Sequence, residues 1–197
     1  MFIDKLIYFI RRGFMPAKKQ ITKDMILDTA LYLLKSQGYE AVTIKRLAKE
    51  LGCSTQPIYL SFSGMDELRQ ELVPLAISTF EKNMKENSND GTIRLYDSSY
   101  INFAKSEPNL FCFLFMRTNA FSEIRNRLMP VIENSIDELM DKYNINHSEA
   151  DYLHDNMWMH AHGIASMAAT DFCHWDENKI NKLLIDSKSA FTSRYEA

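Results

Sequence analysis

Thr55, Gln56, Tyr59 and Leu60 follow a glycine turn within six residues of one another, and all four fall on one side of a helix drawn through them. A hydroxyl, a carboxamide and a phenol sharing a face are groups that hydrogen-bond phosphate oxygens and the edges of bases. Ile58 and Phe62, four apart, take the opposite face, so the polar set is the outward one. Upstream, Thr43 can cap a helix whose Val42 and Leu47 form the two ends of a hydrophobic staple, with Ala48 small enough for a second helix to cross closely. Gly52 follows Leu51 where the chain leaves that helix, a position suited to positive φ. The turn runs from Gly52 to Ser54, Ser54 can cap the next helix, and Pro57 in its first turn sacrifices no intrahelical bond. Residues 43 to 68, TIKRLAKELGCSTQPIYLSFSGMDEL, therefore read as helix, turn, short helix and the start of another, the layout of a helix-turn-helix that docks in the DNA major groove.

The segment GCSTQPIYLSFSGMDEL resembles the DNA-binding signature of TetR-family transcriptional regulators, commonly a G, V, S stretch followed by L-Y-x-H-F and a S/N-K-E/D-x-L segment. The resemblance covers roughly Ile21 to Leu72. It implies a DNA-binding set of Thr43, Lys45, Ser54, Thr55, Gln56, Pro57, Tyr59 and Leu60, in which the polar residues opening the third helix meet bases and Tyr59 meets a phosphate. Two positions depart from the pattern: Ser61 stands where the family usually has histidine, and Met65 where it usually has a phosphate-binding lysine. The second change removes a cation and should weaken salt-dependent affinity. Some relatives keep the fold but act as coactivators that bind an enzyme subunit rather than DNA, which is the alternative reading.

A chain of 197 residues accommodates a DNA-binding unit of about 50 residues fused to a larger helical body. The division expected is an N-terminal extension and arm over 1–20, a helix-turn-helix domain over 21–68, and a ligand-binding and dimerisation domain over 69–197. Residues 1–75 carry 11 Lys and Arg against 8 Asp and Glu, and the rest 12 against 18, so a basic head sits on an acidic body. Cys53, Cys112 and Cys173 are odd in number and without metal-binding spacing, which points to reduced, buried thiols and a cytoplasmic protein. The apolar patch Leu6 to Ile10 is too short for a membrane span. Met15 begins a stretch that resembles the usual start of the family, so residues 1–14 read as an upstream extension, with an amphipathic helix as the alternative; Lys18, Lys19 and Lys23 could contact phosphates as an arm.

Helix one should run from a Thr22 cap to about Gln37, with Ile26, Ala30, Leu33 and Leu34 inward and Gly38 ending it. A fourth helix should begin at a Ser63/Asp66 capping box and reach about Lys85, bent at Pro74. The remainder shows no strand alternation. Breaks at Gly91, Pro108, Thr118 to Ser122, Asn144 to Asn146 and Trp175 to Asp176 divide it into helices, so the fold class is all-α. Phe111 to Met116 reads as a buried helix rather than a strand.

In DNMWMHAHGIASMAATDF, within a helix starting near Ser148, Trp158, His162 and Gly163 resemble the WHG-type ligand-binding domain of one TetR-family branch. Trp158 and His162 share a helix face, and Gly163 suggests close packing with another helix. The resemblance implies an effector pocket, with Phe80, Tyr100, Phe103, Phe111, Phe115, Met116, Phe121, Met129, Trp158 and His162 as lining residues and a small apolar or aromatic effector; ordinary core packing is the competing reading. His154, Asp155, Trp158 and His162 lie near one stripe and Asp171 with His174 forms an i, i+3 pair, but nothing in the spacing makes a ligand set converge, and no metal or cofactor is expected. No set of nucleophile, base and orienting group stands out, so no enzyme is expected. The last helix, about Glu177 to Arg194, repeats Ile180, Leu183, Leu184, Ser187 and Phe191 at helical spacing and closes on the body or pairs with a partner. The resemblance implies a homodimer through the last two helices, a double-stranded DNA operator of near-palindromic sequence, and a ligand-released repressor, with no membrane partner.

Overall fold

The computed structural model describes residues 20–196; the N-terminal extension, Lys18 and Lys19 lie outside them. Thr22 caps α1 (Lys23–Gln37), its hydroxyl accepting from the Met25 N–H, and Ile26, Ala30, Leu33 and Leu34 are fully buried along the helix. A short 3₁₀ turn, Tyr39–Ala41, leads to α2 (Ile44–Leu51), which Thr43 caps by accepting from the Arg46 N–H at 3.2 Å. Val42 and Leu47 are both buried, as a staple requires. Gly52 ends α2 at φ 65° and ψ 35°; no atom lies within 4 Å of a Cβ built there, so the backbone conformation and not crowding calls for glycine.

The next helix, α3 (Gln56–Ser61), starts after Thr55 and not at a Ser54 cap: the Thr55 carbonyl accepts from Ile58 and Tyr59, and no side chain caps the helix. Then come α4 (Met65–Asn87), α5 (Ser98–Ser106), α6 (Pro108–Phe115), α7 (Ala120–Tyr143), α8 (His147–Ala169) and α9 (Glu177–Thr192). At the start of α4, Glu67 takes the role expected of Asp66. Its carboxylate accepts from both the Ser63 N–H and hydroxyl at 2.7 Å, because Gly64 inserts one residue before the helix begins. Asn146 and Glu149 form a reciprocal capping box at the start of α8.

The described residues are all-α. Helix α1 packs on α2, α3, α4 and α6, while α8 is the central helix of the body, held by α5, α6, α7 and α9. One apolar core runs from Ile26 and Leu47 in the head through Phe80, Tyr100 and Phe111 to Leu153 and Ile164. Helix α4 contributes to both ends, Leu68 and Leu72 near the head and Phe80 and Met84 in the body. No helix among the described residues is long and apolar enough to cross a membrane.

Candidate nucleic-acid interface

The buried face of α3 is Ile58 and Phe62, at 0% and 1% exposure; its outward face is Gln56, Tyr59 and Leu60, the last two 60% and 81% exposed. Thr55 and Pro57 are half-buried at the helix start, and Ser54 is exposed in the turn before it. On α2, Thr43, Lys45 and Lys49 are exposed, whereas Arg46 is occupied by Glu50 at 3.0 Å. The head therefore presents a neutral outward helix beside two exposed cations on its neighbour, which suits a reading helix flanked by phosphate contacts. Ser61 turns its hydroxyl back to the Pro57 carbonyl at 3.0 Å, and Met65 is half-buried against the core, so both departures from the family pattern are absorbed locally. Lys23 is no arm residue. It pairs with Glu71 of α4, and its ammonium lies 5.1 Å from the centre of the Phe62 ring.

The expected effector-pocket residues divide. Phe80, Tyr100, Phe103, Phe111, Phe115, Trp158 and His162 form one ring cluster: Phe80 meets Phe103 at 5.0 Å and Phe115 at 5.3 Å edge-on, and His162 meets Phe111 at 5.6 Å and Trp158 at 5.9 Å. Met129 is half-buried on α7, while Met116, just past the end of α6, and Phe121, in the first turn of α7, are each 44% exposed. The rings fill their own space in this state.

Polar groups are threaded through this cluster. The Tyr100 hydroxyl lies 2.9 Å from His162 Nδ1; burial lowers the histidine pKa and raises that of the phenol, which favours a neutral pair with the hydroxyl donating. Along the same face of α8, His154 is fully buried, edge-on to Tyr96 at 5.8 Å, and burial also pulls its pKa down. Among the described residues neither ring nitrogen of His154 has a hydrogen-bond partner, the Asp155 carboxylate standing 3.7 Å from Nδ1, nor do Trp158 Nε1 and Ser99 Oγ. Buried polar atoms in folded proteins are as a rule paired with protein groups or ordered water. Asp155 is exposed, and Asp171 pairs with His174 at 3.1 Å on the exposed turn after α8.

A junction not foreseen from the sequence joins cluster and head. Helix α6 carries Phe111 and Phe115 inward. From the same helix Asn109 donates to the Lys35 carbonyl at 2.9 Å, and Phe113 packs on Tyr39 at 5.0 Å. Lys35 pairs with Glu107 at 2.7 Å, and Arg117 lies 4.3 Å from the Phe113 ring centre while binding Glu123 at 2.7 Å. Single polar residues at such distances in the chain carry no periodic signal. Other details also differ from expectation: the three cysteines are free but half-buried rather than buried, and among the described residues no atom lies within 4 Å of a Cβ built on Gly163, so none of them packs closely there.

Residues 26–72 match the family model described as bacterial regulatory proteins, tetR family. An uncharacterized HTH-type transcriptional regulator of Haemophilus influenzae is 22% identical over 165 residues, covering 80% of this chain and 79% of that protein. The structure of a TetR family protein from Vibrio parahaemolyticus has the same fold, with a TM-score of 0.57 and 18% identity over 85% of this chain and 97% of that one. The tri-helical head that turns Gln56, Tyr59 and Leu60 outward is thus the stretch, residues 26–72, that is similar to bacterial regulatory proteins of the tetR family.

Proposed function

We propose that this protein is a dimeric, ligand-responsive repressor that binds a near-palindromic operator through residues 21–68 and is released when a small apolar or aromatic effector enters the body, residues 69–197. The observation that carries the DNA half of the reading is the outward face of α3, where the exposed Gln56 and Tyr59 stand beside Lys45 and Lys49. Thr43, Ser54, Thr55, Pro57 and Leu60 complete the contact surface. The effector half is supported by the unpartnered Trp158 Nε1 and His154 nitrogens at the edge of the ring cluster, which give a ligand polar anchors in an apolar site. Helix α6 supplies a route between the two: a ligand that displaces Phe111 or Phe115 shifts the helix that Asn109 and Phe113 tie to α1 and Tyr39.

The dimer reading rests on α8 and α9. Tyr152, Met159 and Met167 are exposed along α8, Ile185 is exposed on α9, and Gly163 leaves open space between Met159 and Met167. A second copy would cover this apolar face.

The test is selection of randomised duplex DNA by the purified protein, repeated with Gln56→Ala and Tyr59→Phe. Gln56→Ala should erode sequence preference, by about 1–3 kcal/mol at one position, while Tyr59→Phe weakens all sequences alike. Recovery of no sequence at low salt would instead favour the coactivator reading, to which Ser61 and Met65 lend support because neither is available to a phosphate.

A further inference from the structure

The chemistry of α3 narrows the DNA it can read. In the major groove, guanine is recognised most often by an arginine or lysine that donates to O6 and N7 together, adenine by a glutamine or asparagine on N6 and N7, and thymine by apolar contact with its C5-methyl group. From Ser54 to Ser61 the chain has no charged side chain. The exposed cations of the motif, Lys45 and Lys49, are on α2, the helix that crosses the backbone in this motif, and Arg46 is held by Glu50. What α3 offers to base edges is the Gln56 carboxamide, the Thr55 side chain and Leu60.

Leu60 is the most exposed large apolar side chain among the described residues, at 81%. Single exposed leucines are common on protein surfaces. This one stands on the outward face of the reading helix, beside Tyr59 and one turn beyond Gln56. An isobutyl group there finds an apolar partner in the major groove only at a thymine methyl.

Building on the DNA-binding reading above, we propose that α3 reads an A·T-rich half-site, with Leu60 packed against a thymine C5-methyl and Gln56 paired with an adenine. The helix lacks the cationic fork that most often reads guanine. Lys45 and Lys49 then supply affinity without base preference.

The experiment replaces each thymine of the selected half-site, one at a time, by uracil. Uracil keeps every hydrogen-bonding group and lacks only the methyl. Binding of the dimer is measured for wild type and for Leu60→Ala, whose side chain is exposed and whose loss leaves the core untouched. One thymine should be sensitive in wild type, with affinity falling about fourfold on substitution, the equivalent of about 0.8 kcal/mol for one buried methyl. Leu60→Ala should bind thymine and uracil duplexes equally. Selection of a G·C core, indifference of wild type to uracil at every position, or a uracil penalty that survives in Leu60→Ala would each overturn the proposal while leaving DNA binding intact. Absence of salt-dependent binding to any duplex would remove the DNA-binding reading itself, and this inference with it.

Discussion

Gly163→Leu separates what the subunit needs from what a dimer would need. Among the described residues no atom lies within 4 Å of a Cβ at this position, and replacing a helix-interior glycine by a good helix former gains up to about 1 kcal/mol. The isolated subunit should therefore hold or slightly improve its stability, with unfolding raised by about 2–4 °C for a chain of this size. Across a twofold interface on the exposed face of α8 the same leucine appears twice. Overpacking costs about 1–3 kcal/mol per site, so association weakens by about 2–6 kcal/mol, or roughly 30-fold to more than 10⁴-fold in dissociation constant. Sedimentation equilibrium over a range of protein concentrations, with far-ultraviolet circular dichroism as the folding control, reads both quantities. A helical, thermally stable monomer is the expected result. A Gly163→Leu protein that dimerises as tightly as wild type would refute the placement of the interface on this face of α8.

Tyr100→Phe removes the hydroxyl beside His162 Nδ1 and leaves that part-buried nitrogen without its partner, which should cost about 1 kcal/mol in denaturant unfolding without loss of helix content. Phe80→Ala deletes the ring that packs edge-on against Phe103 and Phe115, and a loss of about 3–5 kcal/mol should appear as a large fall in the thermal midpoint. His154 and His162 both have folded pKa values lowered by burial, so the unfolded chain binds protons that the folded one resists. Their contribution to stability is complete above the ordinary histidine value of about 6.5 and declines as pH falls below it. Urea midpoints measured from about pH 7.5 down to 5 should fall, and the slope should shrink in His154→Leu; a flat profile would contradict the burial argument. Thr43→Ala leaves the Arg46 N–H without its cap and should cost about 0.5–2 kcal/mol, read by thermal unfolding.

Local rules made the head legible. The Thr22 and Thr43 caps, the Gly52 stop and the Ile58/Phe62 spacing act within one or two turns of chain, so the residues that obey them announce helix ends and helix faces directly. Where a neighbouring residue could satisfy the same need, the reading slipped by one position: Thr55 rather than Ser54 precedes α3, and Glu67 rather than Asp66 reaches back to Ser63. The candidate effector site was legible only in part. Aromatic content marks a body rich in rings, but whether a ring lies in the cluster or on the surface depends on how the helices pack, which put Phe115 inside and Met116 and Phe121 outside.

By itself, then, the amino-acid sequence determined the all-helical class, the tri-helical head and the neutral outward face of α3, because each follows from periodicity, capping and turn chemistry over a few residues. Tertiary structure alone decided that, among the described residues, His154 and Trp158 nitrogens lie buried without partners, that Asn109 and Phe113 bind α6 to the head, and that Gly163 opens onto unoccupied space. Those facts depend on contacts between helices far apart in the chain, and their geometry is set by the packing of α8 against its neighbours rather than by any spacing within it.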